Sequence, residues 1–221
     1  MSELRIQNQI AIYMTTKKLV EFNDKLKPAP MEYYAHLHAE GEQLPDGRRN
    51  RSCIGIVLQD YSKGKGASTV RVQANLAPGF FQYALSRVSI GVENFEFIED
   101  KIFGEPDADG LCQVTKVTIK RASRSADGTP RNYPWYICVE NGKGIKEKNA
   151  NGGFFMQKGS YKMERTAFIN INDYDFFQLM QRCVRYIEVW ELTTGPKTVR
   201  DGLKAKDEQA AQVAQEMKEA G

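Results

Sequence analysis

The sequence predicts an α+β protein in which antiparallel sheet dominates and two sheet-plus-helix units follow one another. The first observation is an internal repeat. Residues 69–88 and 165–184 each hold a short alternating run, a polar or proline break, and Phe-Phe-Gln at the start of an amphipathic stretch. The second is the alternation of apolar and polar residues in several segments between 51 and 171, which is typical of strands. We therefore predict a duplicated fold with a peripheral C-terminal helix.

Charge is unevenly distributed along the chain, although the net charge of +3 is too small to imply a nucleic-acid partner by itself. Residues 48–71 hold six basic residues and one acidic residue. Residues 111–165 hold eleven basic and four acidic residues. Between them, residues 92–110 hold seven acidic residues and one lysine. Two basic regions separated by an acidic segment indicate a surface for an anionic ligand, although ordinary solvated faces would give the same pattern.

The four cysteines indicate buried free thiols in a reducing compartment. None of them forms a Cys-x-x-Cys pair, which disfavours a zinc site or a thioredoxin-type centre. The sequence shows no apolar segment of a signal peptide and no run of 18 apolar residues. We therefore expect a cytoplasmic protein without a membrane partner.

Residues 1–50 are predicted to form an N-terminal segment and linker. The apolar residues within 8–26 fit either a helical stripe or the start of a strand, and the pattern leaves both open. Residues 27–50 carry three prolines and Asp46-Gly47, with few apolar residues after Leu37, as in a long loop.

Residues 51–91 are predicted to form the first sheet-plus-helix unit. Alternation over 51–60 and 70–73 indicates two strands, and the basic, glycine-containing residues 62–66 between them indicate a flexible turn. Pro78 suits the first turn of a helix, because its missing N–H is not needed there.

Residues 92–191 are predicted to form the second unit, which contains more strands than the first. The closing helix is predicted to begin after Asp173 as its N-cap, to bury a stripe that runs from Phe176 to Trp190, and to end at Gly195-Pro196. Residues 192–221 are predicted to be a helical or flexible tail. Strands are predicted within 92–103, 114–121, 133–140 and 154–171, with a mobile glycine- and asparagine-rich loop at 141–153.

Catalytic signatures are absent from the sequence. It contains no G-x-S-x-G, Walker A or dinucleotide fingerprint. The only histidines, His36 and His38, would share a strand face with Glu40, and two histidines with a carboxylate can hold a metal. Because the segment is loop-like and has no cysteine near it, we expect surface histidines, no metal, no other cofactor and no enzymatic activity.

Nucleic-acid binding has better support. Single-strand-binding proteins combine a cationic groove with aromatic rings on which bases stack. The candidate rings are Tyr133, Trp135, Tyr136, Phe154, Phe155 and Tyr161, although Trp135 alternates with Ile137 and Val139 and is expected in the core. Three of the basic candidates, Lys116, Lys120 and Arg121, are predicted to face outward from one strand. The residues predicted to bind nucleic acid are Lys63, Lys65, Arg71, Lys116, Lys120, Arg121, Arg124 and Tyr136.

Residues 168–183, Phe-Ile-Asn-Ile-Asn-Asp-Tyr-Asp-Phe-Phe-Gln-Leu-Met-Gln-Arg-Cys, resemble the last strand and closing helix of the Whirly single-stranded DNA-binding proteins. The turn at 126–128 before residues 136–139 is similar to that family's second hairpin. Residues 63–65 match part of its Lys-Gly-Lys-Ala-Ala-Leu motif. The arrangement is also similar to the positive-cofactor transcription coactivators, which dimerise one such unit. The resemblance covers about residues 50–191. The resemblance implies that a unit of four antiparallel strands and a helix occurs twice in the chain. It also implies that single-stranded DNA is held across strand edges.

The sequence therefore predicts a non-catalytic protein that binds single-stranded DNA, or RNA, and that could assemble into a homo-oligomer. The alternative is an interaction protein of a phage or mobile element that binds and inhibits a host protein. The acidic segment 92–110 and the separate segment 197–220 motivate that alternative.

Overall fold

The computed structural model describes residues 8–30, 37–44 and 49–219, with side chains up to Val213. This part of the chain contains two α-helices, α1 (Pro78–Ser89) and α2 (Asp173–Glu219). Its strands are β1 (Gln9–Met14), β2 (Lys18–Lys25), β3 (Glu40–Gln43), β4 (Arg49–Arg51), β5 (Cys53–Asp60), β6 (Val70–Leu76), β7 (Asn94–Phe103), β8 (Cys112–Ala122), β9 (Trp135–Gly144), β10 (Lys146–Lys148), β11 (Phe154–Met156) and β12 (Lys162–Ile171).

The fold is α+β and contains two four-stranded antiparallel sheets, each followed directly by a helix. The first sheet has the order β1-β2-β5-β6 and leads into α1. The second has the order β12-β9-β8-β7, and its last strand leads into α2. Both sheets are meanders in which successive strands of the sheet are neighbours. The predicted fold class, a duplicated sheet-plus-helix unit, is confirmed.

The chain divides into two compact units. Unit 1 comprises residues 1–24 and 54–184, and holds nearly all of both four-stranded sheets, α1 and the first part of α2. Unit 2 comprises residues 25–53 and 185–221, and holds the β3–β4 hairpin and the remainder of α2.

Aromatic side chains form the core of unit 1. The buried ring of Trp135 stacks on Phe176 of α2 with 3.8 Å between ring centroids, and it contacts Phe95 of β7 at 5.5 Å. On α1, Phe81 meets Phe22 of β2 edge-to-face at 5.6 Å. Each helix therefore packs a phenylalanine against its own sheet, and the predicted burial of Trp135 is confirmed.

The Phe-Phe-Gln repeat places buried phenylalanines in the first turn of both helices. Phe81 is the fourth residue of α1, and Phe176 is the fourth residue of α2; both are fully buried. The Phe-Phe-Gln repeat instead aligns Phe80 with Phe176. Phe80 is buried as well, so both alignments pair buried positions of the two helices.

The two sheets of unit 1 are joined at the edge strand β6. The Asn141 side chain of β9 donates to the Gln73 carbonyl oxygen at 2.8 Å and accepts from the Gln73 N–H at 2.9 Å. Lys101 of β7 donates to the Asn75 carbonyl oxygen at 2.8 Å. These side chains occupy backbone groups that an edge strand would otherwise present to another chain.

Residues 8–26 form strands, so the helical alternative for this segment is wrong. Ala11, Val20 and Phe22 are buried, and β1 and β2 complete the first sheet. Alternation of buried residues along each strand, and not a helical stripe, sets their packing. Within the predicted linker, residues 40–43 and 49–51 pair as the β3–β4 hairpin.

Residues 141–153 also form regular structure instead of a mobile loop. β9 extends to Gly144, and β10 pairs with β11. The turn between them is closed by Asn149, whose Oδ1 accepts the N–H groups of Asn151 and Gly153 at 3.1 and 2.7 Å. An asparagine that bonds the backbone in this way stabilises a tight turn.

Gly195-Pro196 does not end α2, which continues to Glu219. Proline lacks an N–H and normally interrupts the helical ladder. Here the Thr193 hydroxyl bonds the carbonyl oxygens of Val189 and Trp190, and Thr198 bonds that of Thr194. These hydroxyl bonds add to the backbone hydrogen bonds on both sides of Pro196.

No helix in the described part of the chain combines the length and apolar character needed to cross a membrane. The four cysteines, Cys53, Cys112, Cys138 and Cys183, are all free and buried, as predicted.

Candidate nucleic-acid interface

Strand register gives the second sheet an inner and an outer face. Ile119 pairs with Ile137, and Ile137 with Ile169, on the inner face that carries Trp135 and packs against the helices. The residues in between point the other way, because successive side chains of a strand alternate. We call the outer surface the lysine–aromatic face; it is formed by Lys18, Lys116, Lys120, Tyr136, Tyr161 and Phe168.

Two aromatic rings lie near the middle of the lysine–aromatic face. Tyr136 of β9 and Phe168 of β12 are tilted against one another, with 5.4 Å between ring centroids. Lys18 of β2 places its Nζ 3.5 Å from the Phe168 centroid. Because β2 belongs to the first sheet, both sheets contribute to this surface. Burial, followed by a hydrogen bond with Cys138, raises the pKa of Tyr136, so its hydroxyl stays neutral.

A second lysine–ring contact lies further along the same face. The Lys116 Nζ is 3.9 Å from the Tyr161 ring centroid, and the Tyr161 hydroxyl donates to a Glu140 carboxylate oxygen at 3.0 Å. Burial and this hydrogen bond raise the pKa of Tyr161. The ring is thereby held over the sheet with its hydroxyl protonated.

Two glycines of β9 lie in close contact with residues 156–163. A Cβ at Gly142 would lie 2.2 Å from the Lys162 carbonyl oxygen and 2.9 Å from the Tyr161 ring. A Cβ at Gly144 would lie 3.0 Å from the Met156 Sδ. The absence of side chains at these positions leaves room against β9 for Met156 and for the Tyr161 ring, which lies beside Lys116.

Carboxylates accompany the lysines of this face. The Lys120 Nζ lies 2.6 Å from Glu96, and the Lys18 Nζ lies 3.3 Å from Asp60. Lys120 and Glu96 are both about half exposed, and exposed ion pairs contribute only about 0–1 kcal/mol. A phosphate can therefore replace the carboxylate at Lys120 at small cost.

The structure brings together three of the predicted residues, Lys116, Lys120 and Tyr136, on the lysine–aromatic face. Lys63 and Lys65 are exposed in the turn that follows Asp60. Because Asp60 holds Lys18, this basic turn begins beside the face.

Two other predicted residues lie elsewhere. Arg71 is exposed on β6, with its Nη1 3.5 Å from the Gln73 Oε1. Arg124 follows the end of β8 and donates to the Gly128 carbonyl oxygen at 2.9 Å. Both remain accessible cations, but no contact joins them to the lysine–aromatic face.

The prediction that Arg121 faces outward is wrong. Its side chain is only 10% exposed and makes two 2.9 Å hydrogen bonds to the Asp173 carboxylate. Its Nη1 also donates to the carbonyl oxygens of Val92 and Glu93. Alternation from Lys120 puts Arg121 on the inner face, where its donors hold the start of α2 and the loop before β7.

Asp173 is not the N-cap of α2, contrary to the prediction. Asn172 has that role, because its Oδ1 accepts the N–H of Asp175 at 2.7 Å and its Nδ2 donates back to the Asp175 carboxylate. Asp173 instead accepts hydrogen bonds from Arg121 and from the Trp135 indole, the latter at 2.7 Å. The Arg121 hydrogen bond, with that of Trp135, lowers the pKa of Asp173.

Sequence reasoning missed Phe168 and Lys18. Phe168 could have been found, because it alternates with the inward Ala167 and Ile169 and must point outward from a strand. Lys18 carries no such signal, since its position over Phe168 depends on how the two sheets pack.

The histidine segment forms a hydrogen-bonded cluster within unit 2. His38 lies 2.8 Å from the Ser52 Oγ through Nδ1 and 3.0 Å from Glu191 through Nε2, and its ring stacks on Trp190. The serine is 3% exposed and already accepts the Lys27 N–H, so this Ser–His–Glu chain presents no nucleophile. His36 lies outside the described residues. Among the described residues, no group of three or more His, Cys, Asp or Glu side chains is placed to hold a metal ion.

The chain is similar to a solved structure, the crystal structure of WHY1 from Arabidopsis thaliana. Sequence identity is 15%, the alignment covers 92% of this chain and 95% of that chain, and the TM-score is 0.42. At this identity and TM-score the likeness assigns neither a family nor a function. No protein-family model matches the sequence, and it matches no curated protein.

Proposed function

We propose that this protein binds single-stranded nucleic acid, with DNA as the first candidate, through the lysine–aromatic face and without catalysis. The observation that carries the proposal is the meeting of Lys18, Phe168 and Tyr136: a cation from one sheet lies over the Phe168 ring of the other, which itself contacts Tyr136. Bases of any sequence can stack on aromatic rings, while lysines neutralise adjacent phosphates.

Around this centre, Lys116 and Lys120 supply cations on the same outer face, and Lys63 and Lys65 supply two more in the neighbouring turn. Arg71 and Arg124 are exposed cations that a longer strand could reach. Arg121 has no part in the proposed interface, because its donors are occupied by Asp173 and by backbone carbonyl groups. Duplex DNA hides its bases, so the proposed site should prefer single strands.

The test is fluorescence anisotropy of a labelled oligothymidylate with a duplex competitor, at about 50 and 200 mM salt. If three phosphates are neutralised, affinity should fall roughly 20-fold between those salt concentrations. The Lys116→Glu/Lys120→Glu variant should bind at least about 10-fold more weakly, because two cations become anions. Lys204→Glu is the matched control, since this lysine is exposed on α2 within unit 2.

A substitution that should strengthen binding tests the same face in the opposite direction. Glu96→Gln should bind about 3-fold more tightly, because it frees Lys120 and removes a charge that repels phosphate. Unchanged affinity in both face variants would show that another surface binds the oligonucleotide. No binding of the wild-type chain at low salt would overturn the proposal and favour a protein partner.

A further inference from the structure

The β10–β11 hairpin presents two different faces. Its register pairs Lys148 with Phe154 and Glu147 with Phe155. Since side chains alternate along each strand, Phe154 shares its face with two lysines, Lys146 and Lys148, whereas Phe155 shares its face with a carboxylate. Two adjacent phenylalanines therefore have opposite electrostatic surroundings.

Phe154 is held as an exposed platform. Its side chain is 52% exposed, and the Lys146 Nζ lies 5.0 Å from the ring centroid. The same Nζ donates to the Gly104 carbonyl oxygen at 2.5 Å, which fixes the lysine beside the ring. The Asn149 turn closes the hairpin, so the strand that carries Phe154 is held in place before a ligand binds.

The hairpin lies beside the lysine–aromatic face. Met156 lies on the same side of the hairpin as Phe154, and its sulfur occupies the space above Gly144 on the outer face of β9. Tyr161 and Lys116 lie further along that face of the sheet. A strand bound across Tyr136 and Tyr161 would therefore be directed toward the hairpin.

We propose that Phe154 is a second base-stacking position for single-stranded DNA, with Lys146 and Lys148 neutralising the flanking phosphates. This inference rests on the proposed function and adds a specific contact to it. An unpaired base stacks on the exposed part of the Phe154 ring, and the lysines lie beside its backbone. Phe155 has no such role, because Glu147 on its face repels phosphate.

The experiment compares Phe154→Ala with Phe155→Ala, using a labelled oligothymidylate. Phe155 is the matched control, since it is 44% exposed and belongs to the same short strand. Phe154→Ala should weaken binding about 5- to 100-fold, as expected for the loss of one stacked base, whereas Phe155→Ala should leave it unchanged. Phe154→Trp should retain or improve affinity, because indole also offers a stacking surface.

An oligonucleotide with abasic positions separates stacking from a structural effect. On fully abasic DNA the two alanine variants should bind equally, because no base remains to stack. A persisting Phe154→Ala defect on abasic DNA would overturn the inference in favour of a folding role, and thermal unfolding of both variants checks the fold independently.

The outcomes distinguish this inference from the proposal on which it rests. If the wild-type chain binds, the Lys116/Lys120 variant loses binding and Phe154→Ala equals Phe155→Ala, the hairpin assignment fails while the proposed function stands. If the wild-type chain does not bind, both fail.

Discussion

Asp173 links the second sheet to α2 through three side-chain hydrogen bonds. Two come from Arg121 and one from the Trp135 indole, and the ring of that tryptophan stacks on Phe176. A carboxylate that accepts hydrogen bonds from a nearly buried arginine is stabilised in its charged form. The residue that the sequence marks as a helix cap therefore acts as an anchor between strand and helix.

This anchor should make stability depend on pH. The folded-state pKa of Asp173 is lowered, so its contribution is complete above the unfolded value of about 3.9 and is lost as pH falls through the folded pKa. Asp173→Asn should lower the free energy of unfolding at pH 7. The difference from wild type should shrink below about pH 4.

Urea unfolding of both proteins from pH 7 to pH 3 measures that difference. Other acidic groups titrate in both proteins, so their effects on stability largely cancel in the difference between the two. A difference that stays constant across this range would show that the Asp173 charge does not contribute.

At the scale of single elements, two glycines of the β9 strand were predicted to belong to a loop. Gly142 and Gly144 lie in a segment whose composition predicts a mobile loop. They are instead strand residues that pair with β8, and neighbouring groups occupy the positions of their missing side chains. Glycine within a strand often marks such a close backbone approach.

Gly142→Ala should therefore be disruptive. Its Cβ would lie 2.2 Å from the Lys162 carbonyl oxygen, which is backbone and has to move. We expect a loss of about 3 kcal/mol in unfolding free energy, at the upper end for overpacked sites. Chemical denaturation measures it.

Gly79→Ala is the control, because nothing lies within 4 Å of a Cβ there and the residue is within α1. That variant should be neutral or slightly stabilising, since alanine restricts the unfolded chain. Equal effects of the two substitutions would contradict the close-approach explanation.

At the scale of the whole molecule, α2 carries an apolar stripe with a large exposed surface. Val189, Leu192, Val199, Leu203 and Val213 are each between 48% and 74% exposed. These residues belong to a series of positions that are alternately three and four residues apart. The other positions of the series between residues 189 and 213 are Pro196, Lys206 and Ala210. This spacing is typical of helices that pair with another helix of the same period.

We therefore expect self-association of the chain through this stripe. Light scattering after size exclusion should show a dimer or larger species in the wild-type protein at micromolar concentration. Leu203→Glu should convert the dimer to a monomer, because a charge within the apolar stripe would lose its hydration when two helices pair. Lys204→Gln, the neighbouring residue off the stripe, should leave the mass unchanged. A monomeric wild-type chain would contradict the expectation.

Much of the fold and part of the candidate site could be predicted from local pattern. The alternation of Val117 and Ile119 with Lys116 and Lys120 indicated both the strand and its outward cations. The same rule, applied strictly, puts Arg121 inward. The N-terminal strands were harder, because residues 8–26 satisfy both a helical and a strand period.

The sequence by itself determined two sheet-plus-helix units, the burial of Trp135 and the outward lysines of β8. These follow from alternation, which the backbone of each strand imposes on its own residues. Only the tertiary structure decided that Lys18 lies over Phe168, that Arg121 holds Asp173 and that the Tyr161 ring lies against Gly142. Those contacts join residues far apart in the chain, and they arise from how sheets and helices pack, which no local pattern specifies.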